Sequence, residues 1–268
     1  MVAYLPNIDE DTAESAGEAS SEEYEEWTRE KSEEQGTEQS EAQKTETTEL
    51  KVSETEVERA PNLVSKDAEN YETKIEYNGV HMYETIPTEK QIIEQLAHWD
   101  NTGAGSCAGQ ALAYAGQKNG IAVTDLRKGD GSSDFFADKD TIFNIHWLKG
   151  VKSDFRYKST KPLEETWDMI TKMTKGKANE GKEFILTAGH HTAVIKRTGS
   201  KTYKYLELQA SGELAGWKSL TQKSLMEKFK VTKTSVGNTS IMIDIESLKN
   251  CAEFKDILGY LNTMKYTQ

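Results

Sequence analysis

A lone cysteine stands at the end of a glycine-rich turn, Asn101-Thr102-Gly103-Ala104-Gly105-Ser106-Cys107, and Ala108-Gly109-Gln110-Ala111-Leu112-Ala113-Tyr114-Ala115 follows at once. Ala108, Ala111, Leu112 and Ala115 recur at helical spacing, which predicts a helix over about 107–117. Cys107 then sits in its first turn. Free N–H groups and the positive end of the helix dipole there favour thiolate over thiol, and the thiolate is the attacking form. Cysteine is also common as a small buried hydrophobe, but a core cysteine needs no Gly-x-Gly-Ser turn before it.

A cysteine nucleophile needs a base, and the base needs an acceptor to orient it. Histidine suits because its pKa lies near neutrality. The chain has five: His81, His98, His146, His190 and His191. His81 and His98 precede the cysteine in weak contexts, and His146 in Asn144-Ile145-His146-Trp147-Leu148 reads as a helix packing position. His191 opens the apolar run Thr192-Ala193-Val194-Ile195, a buried strand whose end can present an imidazole rigidly to a helix in another layer. Strand alternation sends His190 and His191 to opposite faces, so only one faces Cys107. The next strand, Tyr205-Leu206-Glu207-Leu208-Gln209, turns Leu206 and Leu208 to the core and Glu207 and Gln209 to the other face. Cross-strand neighbours sit about 5 Å apart, so either polar residue can hold the second ring nitrogen. Gln209 is preferred, because it lies nearer the strand end.

These residues carry a resemblance. A Gly-Ser-Cys turn opening a helix, a His-Thr-Ala-Val-Ile strand and a polar residue on the following strand resemble the papain-like cysteine hydrolase superfamily over roughly residues 90–250. Papain-type enzymes place a glutamine six positions before the cysteine, where this chain has Asn101; the resemblance implies that its amide joins the Cys107 N–H as oxyanion donor. Papain proteases carry a tryptophan after the cysteine, where this chain has Ala108. Gln209-Ala210-Ser211-Gly212 and Gly216-Trp217 only echo their Asn-Ser-Trp-Gly run. The His-Thr-Ala-Val-Ile strand is closer to the CHAP/NlpC-type amidase and papain-fold bacterial toxin branch. The implied activity is amide hydrolysis of peptidoglycan stem peptides or a target protein, with Cys107, His191, Gln209 (or Glu207) and Asn101 as the site. An effector toxin or phage-borne enzyme would bring a cognate immunity or delivery protein as partner. The rival is a non-catalytic papain-like binding module, or a phage structural component with a flexible arm.

The elements around these residues follow from composition. Residues 1–70 hold 21 Asp and Glu against 6 Lys and Arg, and the remainder is slightly basic at about +3. Glu, Ser, Thr, Gln and Lys dominate from about residue 9 to about residue 60, too little apolar surface to offset ordering entropy. The expected organisation is a disordered acidic tail over 1–70 and one hydrolase domain over 71–268. Asn78-Gly79 signals a hairpin within 74–83, and Pro87-Thr88-Glu89-Lys90 opens a helix with Ile92, Ile93 and Leu96 on its stripe. Further helices are expected over 141–148, 163–173 and 246–261, and strands over 183–188, 191–197, 203–208 and 239–245. Helices first and strands after predict an α+β fold, a helical layer carrying the cysteine on a mostly antiparallel sheet carrying the histidine.

Two cysteines 144 positions apart form neither a disulfide framework nor a zinc site, and Cys251 reads as packing. Phosphate loops and His-Glu-x-x-His or Cys-x-x-Cys motifs are lacking, so no metal or cofactor is expected. With no apolar run after Met1, synthesis in the cytoplasm is expected, with export, if any, by a route without a Sec signal, and no membrane partner. Lys149, Lys152, Arg156, Lys158 and Lys161, with Phe155 and Tyr157 between them, have the residue types of a nucleic-acid surface. Such a run is ordinarily a solvated segment, and no nucleic-acid partner is expected. Trp147, Trp167 and Trp217 read as packing residues.

Overall fold

In His191–Arg197, Thr192 and Val194 turn to one side and Ala193 and Ile195 to the other, and all four are buried. A strand apolar on both faces must be covered on both faces. The computed structural model, which describes residues 50–71, 75–97, 106–123, 135–136, 139–210, 214–233 and 238–262, shows how. In chain order come β1 (Val52–Glu56), α1 (Leu63–Glu69), β2 (His81–Tyr83), α2 (Glu89–Leu96), α3 (Ser106–Lys118), β3 (Ile121–Ala122), α4 (Lys139–His146), β4 (Ser153–Ser159) and α5 (Pro162–Met173). Then follow β5 (Glu183–Ala188), β6 (His191–Arg197), β7 (Tyr203–Glu207), β8 (Gly216–Leu220), α6 (Gln222–Glu227), β9 (Asn238–Asp244) and α7 (Ala252–Leu261). The fold is α+β, with antiparallel sheets of order β1-β2-β3 and β4-β9-β5-β6-β7-β8.

Two apolar cores sandwich the larger sheet. Ile185, Val194, Leu206, Ile241 and Ile243 pack with Ala108, Ala111 and Leu112 of α3 and with Phe254, Ile257 and Leu258 of α7. Phe184, Leu186, Ala193, Ile195, Tyr205 and Met242 pack with Leu163, Met169 and Ile170 of α5, with Leu225 of α6 and with Phe229. The expected single helical layer is therefore joined by a second. The alanines of α3 let it lie close: a methyl group on Gly116 would come within 2.7 Å of both Leu258 Cδ1 and Val123 Cγ1. A half-buried polar lattice fixes α2 and α3 to the sheet. Trp217 Nε1 donates to Glu89 at 2.9 Å, Lys196 Nζ donates to Glu89 at 3.0 Å and Glu183 at 3.4 Å, and Tyr114 donates to Glu183 at 3.2 Å.

Three expectations change. The acidic tail was placed over 1–70, but β1 and α1 belong to the folded unit, which runs from Leu50. Val64 and Ala68 are in the core, and Arg59 lies over the Tyr77 ring at 4.0 Å and bonds Asp256 at 2.9 Å. Recut at that boundary, residues 1–49 carry about −13 and the folded unit about +1, so the basic excess of the body vanishes. The tail reading for 1–49 lies outside the described residues. The hairpin within 74–83 does not form in the described part. Asn78 N–H bonds Gly259 O at 2.9 Å, which holds this segment on α7, and β2 pairs with β1 and β3 instead. The closing helix breaks into a 3-10 turn at Ile245–Leu248 and α7, with buried Cys251 as the α7 N-cap.

β4 forms one edge of the large sheet, where unpaired backbone groups invite pairing with another strand. Here its own side chains take them. Asp154 accepts the Phe155 N–H at 2.9 Å, and Arg156 donates to the Phe155 carbonyl at 2.7 Å and to Asp154 at 2.7 Å. The register also breaks between Arg156 and Ser159, where Lys158 takes a φ of 49°.

Candidate active site

Cys107 is the second residue of α3 and half-buried. Its thiol is met by the backbone N–H groups of Thr192, Ala108 and Cys107 itself. Thr192 directly follows His191 in β6, so the thiol lies against the start of the histidine strand. Burial nonetheless pushes the Cys107 thiol up from its usual range, against those N–H donors and with help from the Glu207 charge. This corrects the expectation that the helix start holds a standing thiolate. Removal of the sulfur from water outweighs the three backbone donors.

His191 is the first residue of β6 and pairs with Ala188 across a tight turn through Gly189 and His190. Its ring shares the sheet face of Ala193, Ile195 and Tyr205 and meets the Phe229 ring edge-on, 4.9 Å between centroids. Thiol and imidazole thus approach the start of β6 from opposite sides of the sheet. Burial pulls the His191 pKa down, the Glu207 charge pushes it up and the Lys228 charge pulls it down again. The net fall keeps the imidazole neutral, the form a base requires. His190 is exposed, and its backbone N–H donates to the Phe229 carbonyl at 2.7 Å.

Of the two orienters, Glu207 ends β7 and is 8% exposed. Its Oε1 accepts the Gln209 N–H at 3.0 Å, and its Oε2 lies 3.7 Å from Lys228 Nζ. Gln209 lies past the end of β7 and serves Glu207 through its backbone. The structure therefore places Cys107 and His191 on the two sides of the start of β6, not face to face as expected, with the Glu207 charge acting on both and Gln209 next to Glu207, while Asn101 lies outside the described residues.

Sequence reasoning missed three neighbours. Phe229 and Lys228 come from the turn after α6, and no local pattern tied them to His191. Gln110 did carry a signal, as the one polar side chain in the run from Ala108 to Gly116. It is buried one turn after Cys107 and donates to Leu96 O and Leu208 O, each at 2.9 Å, which joins the end of α2 and the strand carrying Glu207 to the cysteine helix.

Gly189 explains how the turn is held. Its φ is +56°, and a methyl group there would fall 2.0 Å from the Phe229 carbonyl oxygen. Gly189→Ala combines left-handed strain of about 1–2 kcal/mol with a backbone clash that must displace Phe229 or the turn. The expected result is a melting temperature lower by several degrees and activity reduced beyond the loss of folded protein. A variant with wild-type melting and turnover would show that the turn does not set the position of His191.

Among the described residues no group of three His, Cys, Asp or Glu is placed to hold a metal ion, and no helix is long and apolar enough to cross a membrane. The chain matches no known family model, no curated protein and no solved structure.

Proposed function

We propose that the protein is a papain-like cysteine amide hydrolase, with Cys107 as nucleophile, His191 as base and Glu207 as the group that orients the imidazole. The observation that supports this reading is the thiol at the start of the histidine strand, where the Thr192 N–H and one buried carboxylate act on it and the same carboxylate acts on His191. The resting pair is neutral. The imidazole takes the S–H proton as sulfur attacks the carbonyl carbon, and the C–N bond breaks as the imidazolium protonates the leaving amine. Water, deprotonated by the same imidazole, then releases the thioester as a carboxylic acid. The Cys107 N–H, joined by Asn101, is the proposed oxyanion donor. The proposed substrates are peptidoglycan stem peptides or a target protein, and a delivery or immunity protein is the proposed partner.

Incubation with purified sacculi, and separately with a cell lysate, tests the substrate class through newly freed amino groups. Iodoacetamide at neutral pH tests the site without a substrate. Cys107 should label well before Cys251, which is buried and donates its S–H to Glu253 at 3.5 Å. Equal labelling favours a binding module.

Glu207→Gln should lower turnover more than Gln209→Ala, because the Glu207 charge acts on the His191 ring. The reverse order would return the orienting role to Gln209. A pH profile tests the electrostatics. Burial puts the acid limb of kcat/KM below the ordinary imidazole value, since protonating His191 removes the base. Lys228→Met deletes a charge that lowers the His191 pKa and leaves Glu207 unopposed, so the limb moves to higher pH. Because Lys228 is mostly exposed, the shift should stay below about 1 unit. A shift to lower pH would contradict this arrangement.

A further inference from the structure

Where α4 runs out against β4, two large rings stand in solvent: Trp147 is 65% exposed and Tyr157 60%. They share a floor. The Trp147 and Tyr157 centroids lie 6.0 Å and 6.3 Å from that of Phe143, and Trp147 is backed by His146 at 4.4 Å. Lys158 Nζ sits 5.1 Å from the Tyr157 centroid, and Lys149 and Lys152, close in the chain between Trp147 and Tyr157, are exposed and, like Lys158, without an ion pair among the described residues. The acids near these lysines are already matched: Asp154 by Arg156 and Lys172, and Glu246 by Lys182. Burial lowers the His146 pKa, so the floor adds no standing charge.

We propose that this face binds single-stranded nucleic acid, with bases stacked on Trp147 and Tyr157 and phosphates drawn to Lys149, Lys152 and Lys158. Two exposed rings backed by others, with an ammonium group at one of them and two more close in the chain, make a stacking platform with nearby anion-attracting charge. A polypeptide occupant fits less well. The Asp154 and Arg156 side chains occupy the Phe155 N–H and C=O at this strand edge, and lysine is depleted in protein–protein interfaces. The face lies at the β4 edge, three strands from β6 in the sheet, so the inference is independent of the hydrolase reading.

The test is fluorescence anisotropy of a labelled oligothymidylate of about 20 nucleotides with the full chain at low salt. Binding should weaken with salt at a log–log slope of about −2, as expected for three phosphates neutralised. Trp147→Ala and Tyr157→Ala should each weaken it about tenfold, while Trp147→Phe keeps most of it. Lys149→Gln, Lys152→Gln and Lys158→Gln combined should flatten the slope. All these side chains are exposed, and an unchanged circular dichroism melt verifies each fold. Absence of binding, or binding indifferent to both rings, overturns the proposal. So does an oligoglutamate peptide that binds as tightly through the lysines alone, which would make this a surface for acidic polypeptides.

Discussion

Cys107→Ala abolishes hydrolysis and leaves the protein folded. In the proposed mechanism the sulfur is the atom that forms the acyl intermediate, and no described neighbour would replace it: Thr192 and Ala108 offer backbone N–H groups, Glu207 a buried carboxylate. Loss of a sole nucleophile costs on the order of 10⁴- to 10⁶-fold in turnover. The fold loses one small, half-buried group, so stability should change by about 1 kcal/mol or less. Release of amino groups from the substrate, read beside a thermal melt, separates the two effects. Wild-type turnover in the variant would remove the enzyme assignment from this cysteine.

His191→Ala should cost about 10²-fold or more, and His190→Ala much less. His191 lies against Phe229 and within the field of Glu207, whereas His190 is exposed and its backbone alone is engaged. The resting thiol is neutral, so the base has a full proton to remove and its loss is not masked by a standing thiolate. A second readout follows. Alkylation of Cys107 should slow in His191→Ala at neutral pH and recover in alkali, where the buried thiol ionises by itself. If His190→Ala gave the larger loss, the working face of the turn would be the other one.

The strands with apolar residues on both faces were legible to within a residue or so: the expected 183–188, 191–197, 203–208 and 239–245 correspond to β5, β6, β7 and β9. The cysteine helix was legible for the same reason, since its alanines recur at 3.6-residue spacing. β4 was not, because Phe155 and Tyr157 alternate with charged residues and so read as a solvated basic run. β1 and α1 were hidden by composition. Their anchors, Val57, Val64 and Ala68, are too sparse to mark a core, and a long-range pair between Arg59 and Asp256 holds them. At the candidate site, Cys107 and His191 were picked out by local pattern. The preference between Glu207 and Gln209 turned on where β7 ends, which depends on pairing with β8 and is not written in the residues themselves. Lys228 reaches Glu207 only because the turn after α6 folds back onto the β5–β6 hairpin.

The division of the interior into two cores has a consequence for how the molecule fails. The sulfur hangs from a helix rooted in one core, and the imidazole from a strand backed by Phe229 in the other. Their separation therefore depends on how both layers pack on the one sheet they share and inherits the slack of both. Misplacement of about 1 Å at a reacting pair can cost about 10²-fold, far less movement than melting either core requires. Warming or a mild denaturant will silence such a molecule while its spectra still look native, and cooling will restore it. In the proposed enzyme, activity would gauge the alignment of the two layers and give way before the fold does.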